Sequence, residues 1–166
     1  MKLAQQALVV ARIEADQGTP EEKARVMAWD RLYGMLGTLD SKTSALLRFN
    51  AIVVAALAYL VIVRASDPFA DANAALKALG YSIGHVSLLA SVVSCGFAFP
   101  VISVDWEFFG RRLDRAVDGE PDFDNAVLDR LGDLVARRTR LYSRAWQLAV
   151  AGGTGFALLI GLATLH

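Results

Sequence analysis

The sequence predicts an all-α integral membrane protein: three transmembrane helices extended into a cytoplasmic helical bundle, N-terminus inside and C-terminus outside. Three observations predict it. Apolar residues make up 55% of the 166 residues, above the roughly 45–50% of a soluble domain, and mean hydropathy is +0.39. The excess is gathered into three blocks, with the charges between them. Periodicity is helical throughout, and no strand-like alternation stands out.

Residues 1–17 read as a short helix of mixed face. Gln5, Gln6, Arg12 and Glu14 interrupt any apolar run, so a cleavable signal peptide is not expected. Thr19, Pro20 and Glu22 then form a helix-start signal: a capping threonine, a proline suited to the first turn, and a glutamate completing a capping box. No proline follows until Pro68, so one helix is expected from Pro20 to about Val63. Ala24, Met27, Ala28, Leu32, Met35, Leu36, Leu39, Thr43, Leu46 and Leu47 keep a 3–4 spacing along it. Gly34 and Gly37 are where a bend is expected.

The first apolar block is 45–63, preceded by cytoplasmic residues 1–44. At helical rise it covers about 28 Å, enough to cross a bilayer core. Residues 64–81 are expected as an external loop holding a short amphipathic helix over 69–80, with Phe69, Ala72, Leu76 and Leu79 on one side. The second block, 82–104, has no Asp, Glu, Lys or Arg. Pro100 near its end is expected to kink it. Trp106, Phe108 and Phe109 follow as an aromatic belt. Residues 105–144 form a cytoplasmic insert, whose last helix starts near Asp122 and runs directly into the third block, 145–165. There Ala149, Gly152, Gly153 and Gly155 are small residues that let helices approach closely.

Lysine and arginine decide orientation. Arg111, Arg112, Arg115, Arg130, Arg137, Arg138, Arg140 and Arg144 lie between the second and third blocks, but only Arg64 and Lys77 lie between the first and second. This bias places 1–44 and 105–144 in the cytoplasm.

The chemistry in the sequence is sparse. Lys+Arg and Asp+Glu balance at 17 each, so no attraction to a nucleic acid polymer is expected. Cys95 is the sole cysteine, and His85 and His166 are far apart, so neither a metal site nor a cofactor is expected. No Ser-His-Asp set, paired catalytic carboxylates or phosphate-cradling loop is present, so the chain reads as a non-enzyme. Arg137, Arg138, Arg140 and Arg144 could bind a phosphate group. They also meet the ordinary need for positive charge beside a span, and Asp133 can satisfy Arg137 one turn on. Arg111 and Arg112, close to Trp106, form a second candidate. Asp40 and Lys42 sit where the first helix reaches the membrane, and Lys42 suits an interfacial anchor. Arg48 lies deeper and is expected to pair with Asp105 or Glu107. The spans hold few polar groups, so a pore is expected to need oligomerisation or lipid disruption.

The stretch from Leu39 to Ala51 resembles the start of the first span in membrane-spanning effectors of Pycsar anti-phage systems. Those carry an Asp-x-Lys-Ala-type motif, often followed by leucines and Asn-Ala. Here Asp40, Lys42 and Asn50 match, and Thr43 stands where alanine is usual. The layout is similar over about residues 25–165. The resemblance implies an effector of the bacterial inner membrane that is activated by a cyclic pyrimidine nucleotide and damages the membrane. From charge and side, Arg111, Arg112, Trp106, Arg137, Arg138 and Arg140 would meet such a ligand, and assembly through Ala149, Gly152, Gly153 and Gly155 would follow. The alternative is a non-catalytic accessory or assembly subunit of a larger membrane complex.

Overall fold

The computed structural model describes residues 19–62, 69, 72–102 and 125–164. Three helices account for nearly all of them: α1 (Pro20–Ile62), α2 (Ala74–Ile102) and α3 (Asn125–Thr164). All three are long and apolar enough to cross a membrane. The expected helix at 1–17, the aromatic belt and Arg111, Arg112 and Arg115 lie outside the described residues.

The chain divides into two compact units. One comprises Met1–Thr38 with Ser103–Arg137. Its core is Trp29, Leu36, Leu131 and Val135, flanked by Leu32, Tyr33, Leu128 and Leu134. Trp29 is 1% exposed and stacks at a tilt on Tyr33, centroids 5.6 Å apart. Of the apolar positions at 3–4 spacing, Leu36 is in this core and Leu32 packs against it, while Met27 and Met35 are 72% and 48% exposed. A stretch with apolar residues on most sides does not declare its face by spacing alone, and the bulk of Trp29 sets it. Gly34 and Gly37 do not break the helix.

The second unit comprises Leu39–Ile102 with Arg138–His166 and is a three-helix bundle. In α2 the buried residues are Gly80, Gly84, Ser87, Ser91, Ser94, Ala98 and Val101. They alternate steps of four and three, the 3.5-residue repeat of helices that coil around one another. Asn50 and Leu57 on α1, and Ala145, Ala149, Gly152 and Leu159 on α3, keep the same rhythm. Contacts give the directions. Ser91 faces Gly152, Ser87 faces Gly155, and Leu159 lies beside Gly84, so α2 runs antiparallel to α3. Leu46 shares a cluster with Ala145 and Ala149, and Leu57 with Leu159, so α1 and α3 run parallel.

Many large apolar residues of this unit point outwards. Ile52, Tyr59, Val86, Leu89, Phe99 and Leu158 are each more than half exposed, while α2 buries Gly80, Gly84, Ser87, Ser91 and Ser94. In water this would be the wrong way round, because burial of apolar surface drives folding there. In lipid the tails are as apolar as leucine, and small residues inside let backbones close up. Length, composition and this inverted pattern agree on a multi-pass membrane protein.

The expected separate helix over 69–80 is instead joined to the second span. Asn73 starts α2: its Oδ1 accepts from Leu76 N at 2.8 Å, and its carbonyl accepts from Lys77 N at 3.1 Å. Gly80 looks like a break in the sequence. It stays helical because the Phe69 ring lies against it, where a Cβ would collide at 2.6 Å. Pro100 lies inside α2, close to its end.

Candidate functional site

The site is a polar seam inside the three-helix bundle. It begins at the Asp40 end, where the helix continues into the apolar block from residue 45. Arg138 of α3 is 7% exposed, and its Nη1 lies 3.7 Å from Asp40 Oδ1. Burial pushes the Asp40 carboxyl above the usual carboxylate range, while the Arg138 charge pulls it back. The pair is therefore a contact held partly against its own desolvation.

Thr43 is fully buried and turns its Oγ1 back to the Leu39 carbonyl at 2.7 Å. An apolar layer of Leu46, Ala98, Ala145 and Ala149 follows. Beyond it lies a hydrogen-bond chain that ties all three helices together. Asn50 Nδ2 donates to Ser94 Oγ at 2.8 Å, and Ser94 Oγ donates to the Ala145 carbonyl at 2.6 Å. The order of the chain fixes the amide. Ser94 has one proton, committed to Ala145, so it can only accept from Asn50. The Asn50 carbonyl must therefore point elsewhere, and Asn50 Oδ1 is buried with no hydrogen-bond partner. One turn on, Ser91 Oγ is likewise buried without a partner. It points across the seam at Gly152, where a Cβ would collide with it. Ser87 Oγ donates to the Ile83 carbonyl at 2.7 Å and occupies the space that a Cβ on Gly155 would need. A second apolar layer, Val53, Leu57, Phe69, Ala72 and Leu159, lies at this end.

Of the motif residues, Asn50 is buried against α2, Asp40 is half exposed with one oxygen 3.7 Å from Arg138, and Lys42 and Arg48 are exposed. Asp105 and Glu107, the expected partners of Arg48, lie outside the described residues, as do Trp106, Arg111 and Arg112. Arg137, Arg140 and Arg144 are exposed and Arg138 is not. Gly152 and Gly155 receive serines of α2, Gly153 lies against Phe49, and Ala149 is buried beside Leu46. All four thus serve close packing within the chain. Sequence reasoning missed Ser87, Ser91 and Ser94. The signal was present as small residues at steps of four and three from Gly80 to Ala98, inside a block that reads as uniformly apolar. Compared with known proteins, the chain matches no family, no curated protein and no solved structure.

Proposed function

We propose that this chain is a membrane effector of bacterial anti-phage defence, resembling the Pycsar class. A cyclic pyrimidine nucleotide bound on the cytoplasmic side gates it, and it acts by oligomerisation and loss of membrane integrity in the inner membrane. The observation that carries the reading is the placement of the motif. Asp40 and Asn50, which carry much of the resemblance, are contacts of α1 with Arg138 and Ser94. A motif that ties the first span to the other two is what a helix-borne signal needs, because it couples movement of one helix to the packing of all three. In this reading the chain performs no catalysis. Arg137 and Arg140 are exposed for an anionic ligand, and Arg111, Arg112 and Trp106 complete the proposed set. Arg138 acts differently from its neighbours: engaged with Asp40, it passes on a change at the arginine run to α1.

The test is binding of the detergent-purified protein to cyclic mononucleotides of the four bases, with linear mononucleotides as charge-matched controls. Selective binding of the cyclic pyrimidine forms that weakens in Arg137→Ala or Arg112→Ala is expected. A folded protein that binds none of them would instead be an accessory subunit, to be found in stoichiometric association with a larger membrane protein.

A further inference from the structure

The seam holds a feature that packing alone does not explain. Asn50 Oδ1 is an acceptor without a donor, and Ser91 Oγ is a hydroxyl without an acceptor. Both residues are 0% exposed and lie on the shared inner face of the bundle. Leaving such groups unsatisfied in the interior costs stability. Alanine at 91 would remove the lone hydroxyl and leave the apolar layers on either side in place. Ser87, Ser91, Ser94 and Asn50 thus place hydroxyl and amide groups near the middle of the span, on the side of the helices away from lipid. Outside them are Val86, Val92 and Val93. Polar groups in this position meet water only if the helices part.

We infer that this seam, within one chain, is the route by which water and small monovalent ions cross when the effector is active. The inference rests on the membrane-effector reading for ligand gating and membrane leak, and replaces its oligomeric route with one inside a single chain. At rest two apolar layers close the path: Leu46, Ala98, Ala145 and Ala149 on the Asp40 side, and Val53, Leu57, Phe69, Ala72 and Leu159 on the other. Loosening them exposes a row of serine hydroxyls, the Asn50 carbonyl and the Ala145 carbonyl to water. These neutral oxygens can replace part of the hydration of a small monovalent cation. The seam is lined by single hydroxyls and glycines, so it passes small ions and excludes dyes. This differs from the expectation that the spans contain no path and that a pore requires several chains or broken lipid.

The experiment uses the full chain in liposomes, exposed to each of the four cyclic mononucleotides. Proton and potassium fluxes are read beside release of trapped calcein. Ion leak without calcein release is expected; calcein release at the same rate overturns the route in favour of lipid disruption. In a Cys95→Ala background, Ser91→Cys and Val92→Cys are then challenged with a charged, water-soluble thiol reagent. Val92 is the neighbouring residue on the outer face, 51% exposed. Thiolates react where water reaches them, so leaking vesicles should label Ser91→Cys about tenfold faster than Val92→Cys. Equal labelling, or leak with Ser91→Cys unlabelled, overturns the route and leaves the effector reading standing. No leak with any cyclic nucleotide overturns both. The wild-type size cut-off needs no variant, so the inference stays testable if Ser91→Cys does not fold.

Discussion

Glycine carries opposite meanings at different positions of one helix. A Cβ on Gly152 would collide with Ser91 Oγ, and it would also stand 3.1 Å from the Ser87 carbonyl oxygen and 3.3 Å from Ser91 N. A hydroxyl can swing aside but a backbone cannot. On Gly155 the same atom meets only the Ser87 side chain closely, Oγ first and Cβ at 3.3 Å. Gly96 and Gly161 meet nothing within 4 Å. Gly152→Ala should therefore destabilise the bundle by about 1–3 kcal/mol, the usual cost of overpacking. Gly155→Ala should cost less, and Gly96→Ala and Gly161→Ala should stay within about 0.5 kcal/mol. Reversible unfolding in mixed detergent measures all four. The Asn50–Ser94 bond is tested in the same assay by Asn50→Leu, Ser94→Ala and the double variant. Hydrogen bonds between membrane helices average about 0.6 kcal/mol and reach about 1.7. A coupling energy in that range is expected, and a coupling of zero would mean the chain through Ser94 does not hold the helices. The glycines were legible as packing residues from composition alone. Their partners were not, because a serine in an apolar run looks the same facing lipid or facing a neighbouring helix.

At the scale of the helix, starts and lengths were read well where capping chemistry is local. Thr19 and Pro20 mark the beginning of α1, and the Thr19 carbonyl accepts from Lys23 N at 3.1 Å. The break expected between the helix over 69–80 and the second span is absent, since Ala74–Ile102 is one helix. There the determining groups are a single asparagine and a contact between Phe69 and Gly80, and the contact is invisible until the chain folds back. If Asn73 is the cap, Asn73→Ala should cost about 0.5–2 kcal/mol, and Asn73→Asp should recover most of it. Gly80→Ala is a sharper probe of the same element. It improves helix propensity, yet should destabilise through the Phe69 ring; a gain in stability would show that Phe69 does not hold this end. The inner face of α1 was legible only in part, for a related reason. Met27, Ala28 and Met35 fit helical spacing as well as Val26 and Trp29 do, and only packing against Leu131 and Val135 separates the two faces.

At the scale of the whole molecule, the three blocks and their lengths were legible because lipid demands about twenty apolar residues whatever the fold. The polar seam was not, because its residues are a minority in each span and take on meaning only when three helices bring them together. What the blocks leave open is direction, and charge supplies the argument. Eight arginines between the second and third spans stand against Arg64 and Lys77 between the first and second. Lys77 is now placed on α2 itself, in its first turns, where a long side chain can reach the interface. Positive residues close to span ends are retained on the cytoplasmic side. A phosphatase that works only outside the inner membrane should thus be inactive when inserted between residues 112 and 120, and active when inserted between 66 and 68. A fluorescent protein that matures only in the cytoplasm should give the reverse. Replacing Arg137, Arg140 and Arg144 together by Gln should weaken this preference and yield mixed topology, while Arg48→Gln should leave it unchanged because all eight arginines between the second and third spans remain. The opposite pattern in the unaltered chain would put every proposed nucleotide contact on the far side of the membrane from the cytoplasm, and the gating reading would fall with it.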